Sequence, residues 1–288
     1  MSHPDARAVL RRVGLAPKKG FGQNFLVASH VVDAIARACV PDGETNRARV
    51  IELGAGLGVL THALATRARE VVAVERDRDL VPVLHEELAS EIAASRVRIV
   101  EGDAQAIDVE ELLPRAHGAD AGDDGPRVLA GNLPYHITGR LLERAVAFAD
   151  SLDRVVFMVQ LEVAERLAAQ PSTKEYGALT VFVRAAFRVE KLFDVSRGSF
   201  HPAPDVTSAV VRLEPHRPRL ALETETFRAL VKGAFGARRK TLRNAWSRVA
   251  EPARIAAAAE ASGISLDLRG ETLDVEAYAR MAAHLDAL

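Results

Sequence analysis

The chain has 288 residues, 48% hydrophobic and 27% charged, which are ordinary proportions for a folded globular protein and enough length for one large domain plus a smaller one. A formal net charge of −1 excludes a uniformly basic nucleic-acid binder, and the single cysteine, Cys39, excludes a disulfide framework or a thiolate metal cluster. The amino terminus lacks the basic-then-apolar layout of a signal peptide, and no apolar run approaches the roughly 20 residues that span a bilayer, so a cytoplasmic protein without membrane contact is expected.

In chain order, residues 5–13 read as a short basic helix stopped by Gly14. The loop from Ala16 to Leu26 follows, carrying Lys18, Lys19, Phe21, Gln23, Asn24 and Phe25. Its alternatives are a disordered tail or an ordered segment, and the apolar residues Phe21, Phe25 and Leu26 favour order. A helix is predicted from Ser29, as its N-cap, to Cys39, with Val32, Ile35, Ala36 and Cys39 on one face.

Arg49 to Thr61 reads strand, glycine loop, helix, with glycines at positions 54, 56 and 58. Such a loop lets the backbone approach a ligand closely at the positive end of a helix. The dinucleotide fingerprint would put its third glycine at position 59, where this chain has Val59. A second strand, Glu70–Glu75, ends on an acid suited to ribose hydroxyls. A third, Val97–Val100, leads to Asp103, placed to accept from an adenine amino group. Each acid alone reads more readily as a solvated strand end. Glycine loop and acids together end three successive strands, and Asn132 ends the fourth, Arg127–Gly131, which makes coincidence a poor explanation.

Asn132-Leu133-Pro134-Tyr135 sits where α/β sheets bind ligands, outside the carboxyl edge of a strand. Read alone it is as much a turn as a site; read in this crevice, an amide oxygen, a constrained carbonyl and an aromatic face suit a flat base carrying an amino group. The polar loop 118–126 is assigned no function. A fifth strand is expected at 154–159, helices at 162–169 and from Tyr176 to Arg184, and strands at 187–193 and 209–213. Between the last two strands, two prolines hold Phe200 in a stiff loop, either as a plug beneath it or as an aromatic wall opposite Tyr135. Residues from 214 onward read as helical. There, Arg238, Arg239, Lys240, Arg243 and Arg248 fall in a stretch without acids, interleaved by Phe235 and Trp246. The pattern is either a solvated face or an electrostatic footprint for phosphates, to which Lys18 and Lys19 would add. No His/Cys/Asp spacing suggests a metal.

Taken together, Gly22–Leu26, Glu52–Gly58, Glu75–Asp77, Gly102–Ala104, Asn132–Tyr135 and Phe200–Val206 resemble, in order, the motifs of class I S-adenosylmethionine methyltransferases. More closely they resemble the ribosomal RNA adenine N6-dimethyltransferase family, and Arg238–Asn244 is similar to its small-subunit (16S) branch. The resemblance implies a Rossmann-like α/β domain over residues 1–213, with a mostly parallel seven-stranded sheet and a lid at 1–28, followed by a helical RNA-binding domain over 214–288. It implies S-adenosylmethionine held by Asn24, Leu26, Gly54, Gly56, Glu75, Asp103 and Asn132. Asn132, Leu133, Pro134, Tyr135 and Phe200 would form the catalytic set, and Lys18, Lys19, Arg238, Arg239, Lys240, Arg243 and Arg248 would contact RNA. The expected substrate is 16S RNA in an immature small subunit, and the expected state a monomer without metal. Large-subunit RNA methylation, a dinucleotide oxidoreductase and a non-catalytic assembly factor are the rival readings.

Overall fold

The computed structural model describes residues 5–115 and 125–288; residues 1–4 of the expected lid and residues 118–124 of the polar loop lie outside the described residues. In chain order the elements are helix α1 (Ala6–Val13), strand β1 (Phe25–Leu26), α2 (Ser29–Cys39), β2 (Arg49–Leu53), α3 (Val59–Ala65), β3 (Glu70–Glu75), α4 (Val81–Glu87), α5 (Ala89–Ala93), β4 (Val97–Glu101) and α6 (Val109–Leu112). They continue with β5 (Arg127–Asn132), α7 (Thr138–Ala147), β6 (Arg154–Gln160), α8 (Leu161–Ala168), α9 (Ala178–Ala186), β7 (Phe187–Val195), β8 (Phe200–His201) and β9 (Ser208–Pro215). Helices α10 (Glu225–Gly236), α11 (Leu242–Ala245), α12 (Pro252–Ser262) and α13 (Val275–Asp286) close the chain.

The contacts divide the chain into two units: the described residues up to Ala164 with Glu190–Glu214, and Glu165–Val189 with Pro215–Leu288. The second unit therefore takes in residues 165–189, which the sequence reading left with the first domain. Its reason is apolar: Tyr176, Val181 and Ala185 join Phe227, Leu230, Trp246, Tyr278 and Met281 in one core.

The first unit is built on a seven-stranded sheet in the order β4-β3-β2-β5-β6-β9-β7. Strands β2 to β6 are mutually parallel, and β9 runs antiparallel to β6. Parallel strands buried on both faces need continuous apolar runs, and β3 and β6 supply them as Val-Val-Ala-Val and Val-Val-Phe-Met-Val. The order reverses between β2 and β5, so the carboxyl ends of those two strands border the crevice where such sheets bind ligands. Helix α2 buries Val31, Val32, Ile35, Ala36 and Cys39 as the periodicity required. Ser29 is its first residue and not its cap; Ala28 holds the cap position without a side-chain hydrogen bond.

Sequence reading missed a second, two-stranded sheet. In it Phe25 pairs with His201 and Leu26 with Phe200, antiparallel. Two residues per strand leave no periodicity to detect, yet this pairing moors the amino-terminal loop.

Candidate active site

Each strand that ends at the crevice delivers one group. After β2 the chain turns through Gly54, Gly56 and Gly58, all with positive φ, before α3 begins. At Gly54 a Cβ would stand in open space, so the backbone there is bare toward a ligand. At the end of β5, a Cβ on Gly131 would lie 2.7 Å from the Leu53 carbonyl oxygen. Only glycine lets β5 deliver Asn132 so close to the glycine loop.

A single cavity of about 230 Å³ gathers these groups. Among its walls are Asn24, Leu26, Gly54, Gly56, Glu75, Asp103 and Asn132, with Leu133, Pro134 and Tyr135 at one end. Every expected cofactor residue therefore borders one space. Phe200 does not border it. At 2% exposure Phe200 is buried in the core of the first unit, paired with Leu26 across the small sheet. That is the plug and not the aromatic wall, because the β1–β8 pairing and surrounding apolar side chains enclose the ring.

Glu75 is held by backbone. Its Oε1 accepts from the amides of Arg76 (2.9 Å) and Asp77 (2.7 Å), and its Oε2 accepts from the amide of Gly56 (2.8 Å). A carboxylate offers about four acceptor sites, so capacity remains for one more donor. Asp103 accepts from the Gln105 amide at 2.9 Å and faces the Arg76 guanidinium at 3.4 Å. Asn132 donates from Nδ2 to the Asn24 carbonyl at 2.9 Å. The Pro134 carbonyl is engaged by the Ile137 amide and the Thr138 hydroxyl, both at 3.1 Å. Tyr135 is fixed by a 2.7 Å hydrogen bond between its hydroxyl and the buried Ser208 hydroxyl. Burial raises its phenol above the ordinary value, so it is a neutral ring at physiological pH.

Glu52 is a site residue that the sequence reading quoted within the glycine motif but gave no role. It borders the cavity, is 2% exposed, and its Oε2 has no hydrogen-bond partner. Burial pushes its carboxyl up to about 8; the Thr61 hydroxyl opposes this, and the charge of Glu75 adds to it. Its signal in the sequence was an acid ending an otherwise apolar strand just before the first glycine.

Lys18 was expected on RNA, and the structure corrects this. Its Nζ lies 2.6 Å from both Asp77 Oδ1 and Asp79 Oδ2, and the same ammonium lies 5.4 Å from the Phe21 ring centre. Two carboxylates and a ring face occupy the charge. Lys19 is exposed. In the helical unit, Arg238 is bound to Glu271 and to the Thr173 carbonyl, and Arg243 to Asp267, whereas Arg239, Lys240 and Arg248 stand exposed. The aromatic interleaving belongs to the core: Trp246 is buried and donates to the Leu230 carbonyl at 2.9 Å, and Phe235 packs against Tyr176 and Tyr278. Among the described residues no group of three or more His, Cys, Asp and Glu side chains could hold a metal ion, and no helix is long and apolar enough to cross a membrane.

Comparison with known proteins follows the same lines. A family model described as ribosomal RNA adenine dimethylase matches residues 15–287. A protein of Anaeromyxobacter sp. (strain K) named ribosomal RNA small subunit methyltransferase A is 43% identical over 285 residues, 97% of either chain. A protein of the same name from Geobacter metallireducens is 41% identical over 287 residues, covering 97% of this chain and 99% of its own. Among solved structures, the 23S rRNA methyltransferase ErmE matches with a TM-score of 0.65 at 26% identity, over 91% of this chain and 100% of that one. A dimethyladenosine transferase from Plasmodium falciparum matches with a TM-score of 0.74 at 22% identity, over 89% and 95%, a likeness of fold.

Proposed function

This chain belongs to the ribosomal RNA adenine dimethylase family, and on that premise we propose that it dimethylates the exocyclic N6 of two adjacent adenines in a hairpin of small-subunit (16S) RNA, with S-adenosylmethionine as methyl donor. The observation that carries the reading is the single cavity that joins Asn132–Tyr135 to the glycine loop and its acids. The small-subunit assignment draws on the name carried by relatives 41–43% identical over nearly the whole chain.

The residues fit such a donor. Glu75 has acceptor capacity left for a ribose hydroxyl, Asp103 can accept from an adenine amino group, and the bare backbone at Gly54 allows close approach. The unpartnered oxygen of Glu52 suits an ammonium, and Asn24 and Leu26 border the same space. When bound, the donor supplies an electrophilic methyl carried on a sulfonium.

The protein's part is to position the base. Adenine N6 is a poor nucleophile because its lone pair is delocalised into the ring. Acceptors on its two hydrogens, the Asn132 Oδ1 and the Leu133 carbonyl, favour a tetrahedral nitrogen with an available lone pair. A neutral amide costs less to hold there than an unpaired charge would. The target must leave its stack to enter, and the fixed ring of Tyr135 gives it a face to stack on. Arg239, Lys240 and Arg248, with Lys19, would meet RNA phosphates, recognising shape more than sequence. So modest a basic patch favours a partly assembled subunit, in the cytoplasm, as substrate for a monomeric enzyme.

The test is transfer from radiolabelled S-adenosylmethionine to small-subunit particles lacking the modification, followed by nucleoside analysis. Wild type should form N6,N6-dimethyladenosine, and Asn132→Ala should lose about 10²- to 10³-fold in rate, the scale for removing one preorganised group. Label found only in large-subunit RNA would overturn the branch. Particle binding without any label would favour an assembly factor.

A further inference from the structure

The donor side of the catalytic amide is already occupied, and by main chain. With the Asn24 carbonyl oxygen 2.9 Å away, the near atom of the Asn132 amide must be the nitrogen, because a carbonyl accepts and cannot donate. The Asn132 oxygen is therefore turned away from Asn24. Nothing in β5 itself imposes that choice; it is imposed by the loop of residues 18–26, which crosses the crevice.

That loop is held at one end by the small sheet and at the other by Asp77. Asp77 is 3% exposed and does not border the cavity. Its Oδ1 accepts from Lys18 Nζ at 2.6 Å and from the Asp79 amide at 3.1 Å, and its Oδ2 accepts from Gln23 Nε2 at 2.8 Å. Gln23 Oε1 in turn accepts from the Lys18 amide at 2.8 Å, which closes the loop on itself just before Asn24. The opposing charge and these hydrogen bonds hold the Asp77 carboxyl below the usual carboxylate range even though burial acts the other way, so the anchor stays ionised at neutral pH. Asp77 thus sits two residues from the acid assigned to the ribose and is tied, through Gln23 and the Asn24 carbonyl, to the amide assigned to the target base.

We propose that Asp77 is a positioning residue for methyl transfer, acting through Gln23 and the Asn24 carbonyl to set the orientation of the Asn132 amide. The inference rests on the activity proposed above. With the loop released, the amide is free to turn its NH₂ toward the incoming amino group, a donor against a donor, and transfer slows although both substrates bind.

The experiment is transfer at saturating S-adenosylmethionine to small-subunit particles lacking the modification, for Asp77→Ala, Gln23→Ala and Asp77→Asn, each also made with Asn132→Ala. Asp77→Ala and Gln23→Ala should each lower kcat about tenfold, with KM for the particles unchanged, misplacement of about 1 Å being enough for a loss of that order or more. Asp77→Asn, which keeps one acceptor oxygen but sets an NH₂ against Lys18 or Gln23, should recover only part of the rate. In the Asn132→Ala background, Asp77→Ala should slow the residual rate no further, since residues acting as a unit are not additive. Equal factors in both backgrounds, or a raised donor KM at unchanged kcat, would overturn the proposal. Gln23→Ala carries the test if circular dichroism shows Asp77→Ala unfolded. A wild type that methylates no adenine would instead overturn the activity itself, whatever Asp77 does.

Discussion

The two ends of the parallel sheet are built from opposite charges and treat them differently. At the amino end, Arg49, Arg127 and Arg154 begin β2, β5 and β6, and each meets an acid: Glu70 at 3.3 Å, Glu110 at 2.9 Å and Glu44 at 2.9 Å. Further donors go to carbonyls, as Arg49 to Pro114, Arg127 to Val109 and Leu113, and Arg154 to Cys39, while Nε of Arg127 and of Arg154 have no partner. At the carboxyl end Glu52 and Glu75 meet no cation among the described residues, and Asp103 meets only Arg76, whose side chain is 60% exposed. Glu75 is held by amides alone, Asp103 by an amide and an exposed arginine at 3.4 Å, and Glu52 lacks a partner on one oxygen. Closed ion pairs build scaffold; acids fixed by backbone with acceptor capacity to spare build a binding site.

The largest test of that contrast is Arg127→Ala. It strands Glu110 and two carbonyls at the scaffold end, so stability should fall by about 3 kcal/mol. In a unit of this size that is roughly 6–12 °C in Tm by calorimetry. Donor affinity measured on the folded fraction should be unchanged, and a comparable loss of affinity would break the contrast. Glu75→Gln should do the reverse. Its NH₂ must oppose either Gly56 or the Arg76 and Asp77 amides, and S-adenosylmethionine should bind about tenfold more weakly by calorimetric titration, about 1.4 kcal/mol.

The effect that depends on pH belongs to Glu52. With a folded pKa raised from 4.5 to about 8, its contribution to stability is full below about 4.5 and is lost as pH rises through about 8. Between those values the folded state keeps a proton that the unfolded state has released, a slope of up to about 1.4 kcal/mol per pH unit. Glu52→Gln removes this, so the Tm difference between variant and wild type should grow in the variant's favour from pH 6 to pH 8.5 in a thermal melt. Parallel profiles would show that Glu52 has a partner after all.

How much of this was legible in the sequence follows from the range of each interaction. The five parallel strands announced themselves because buried parallel strands are locally apolar, and the glycine loop because positive φ selects glycine. Asn132 stood out as an amide at a strand's edge. What escaped were long-range partners. Lys18 beside an aromatic reads the same whether it faces a phosphate or an aspartate 59 positions on. Phe235 and Trp246 among arginines read as part of a basic surface stretch until the core of the helical unit claims them. Phe200 was left between plug and wall because two-residue strands such as β1 and β8 have no pattern to read. Glu52 passed as motif because an unpaired buried oxygen is a property of surroundings and not of spacing.

The hydrogen bond from Asn132 to the Asn24 carbonyl, 108 positions away in the chain, also bears on discrimination between purines. With its nitrogen committed, the amide cannot turn over to greet a keto group. On the proposed activity, a guanine in the pocket would set its O6 against the Asn132 oxygen and the Leu133 carbonyl, acceptor against acceptors, with no donor able to rotate in. Rejection of the wrong base is thus written into a main-chain carbonyl of the amino-terminal loop, where no side-chain comparison would look for it.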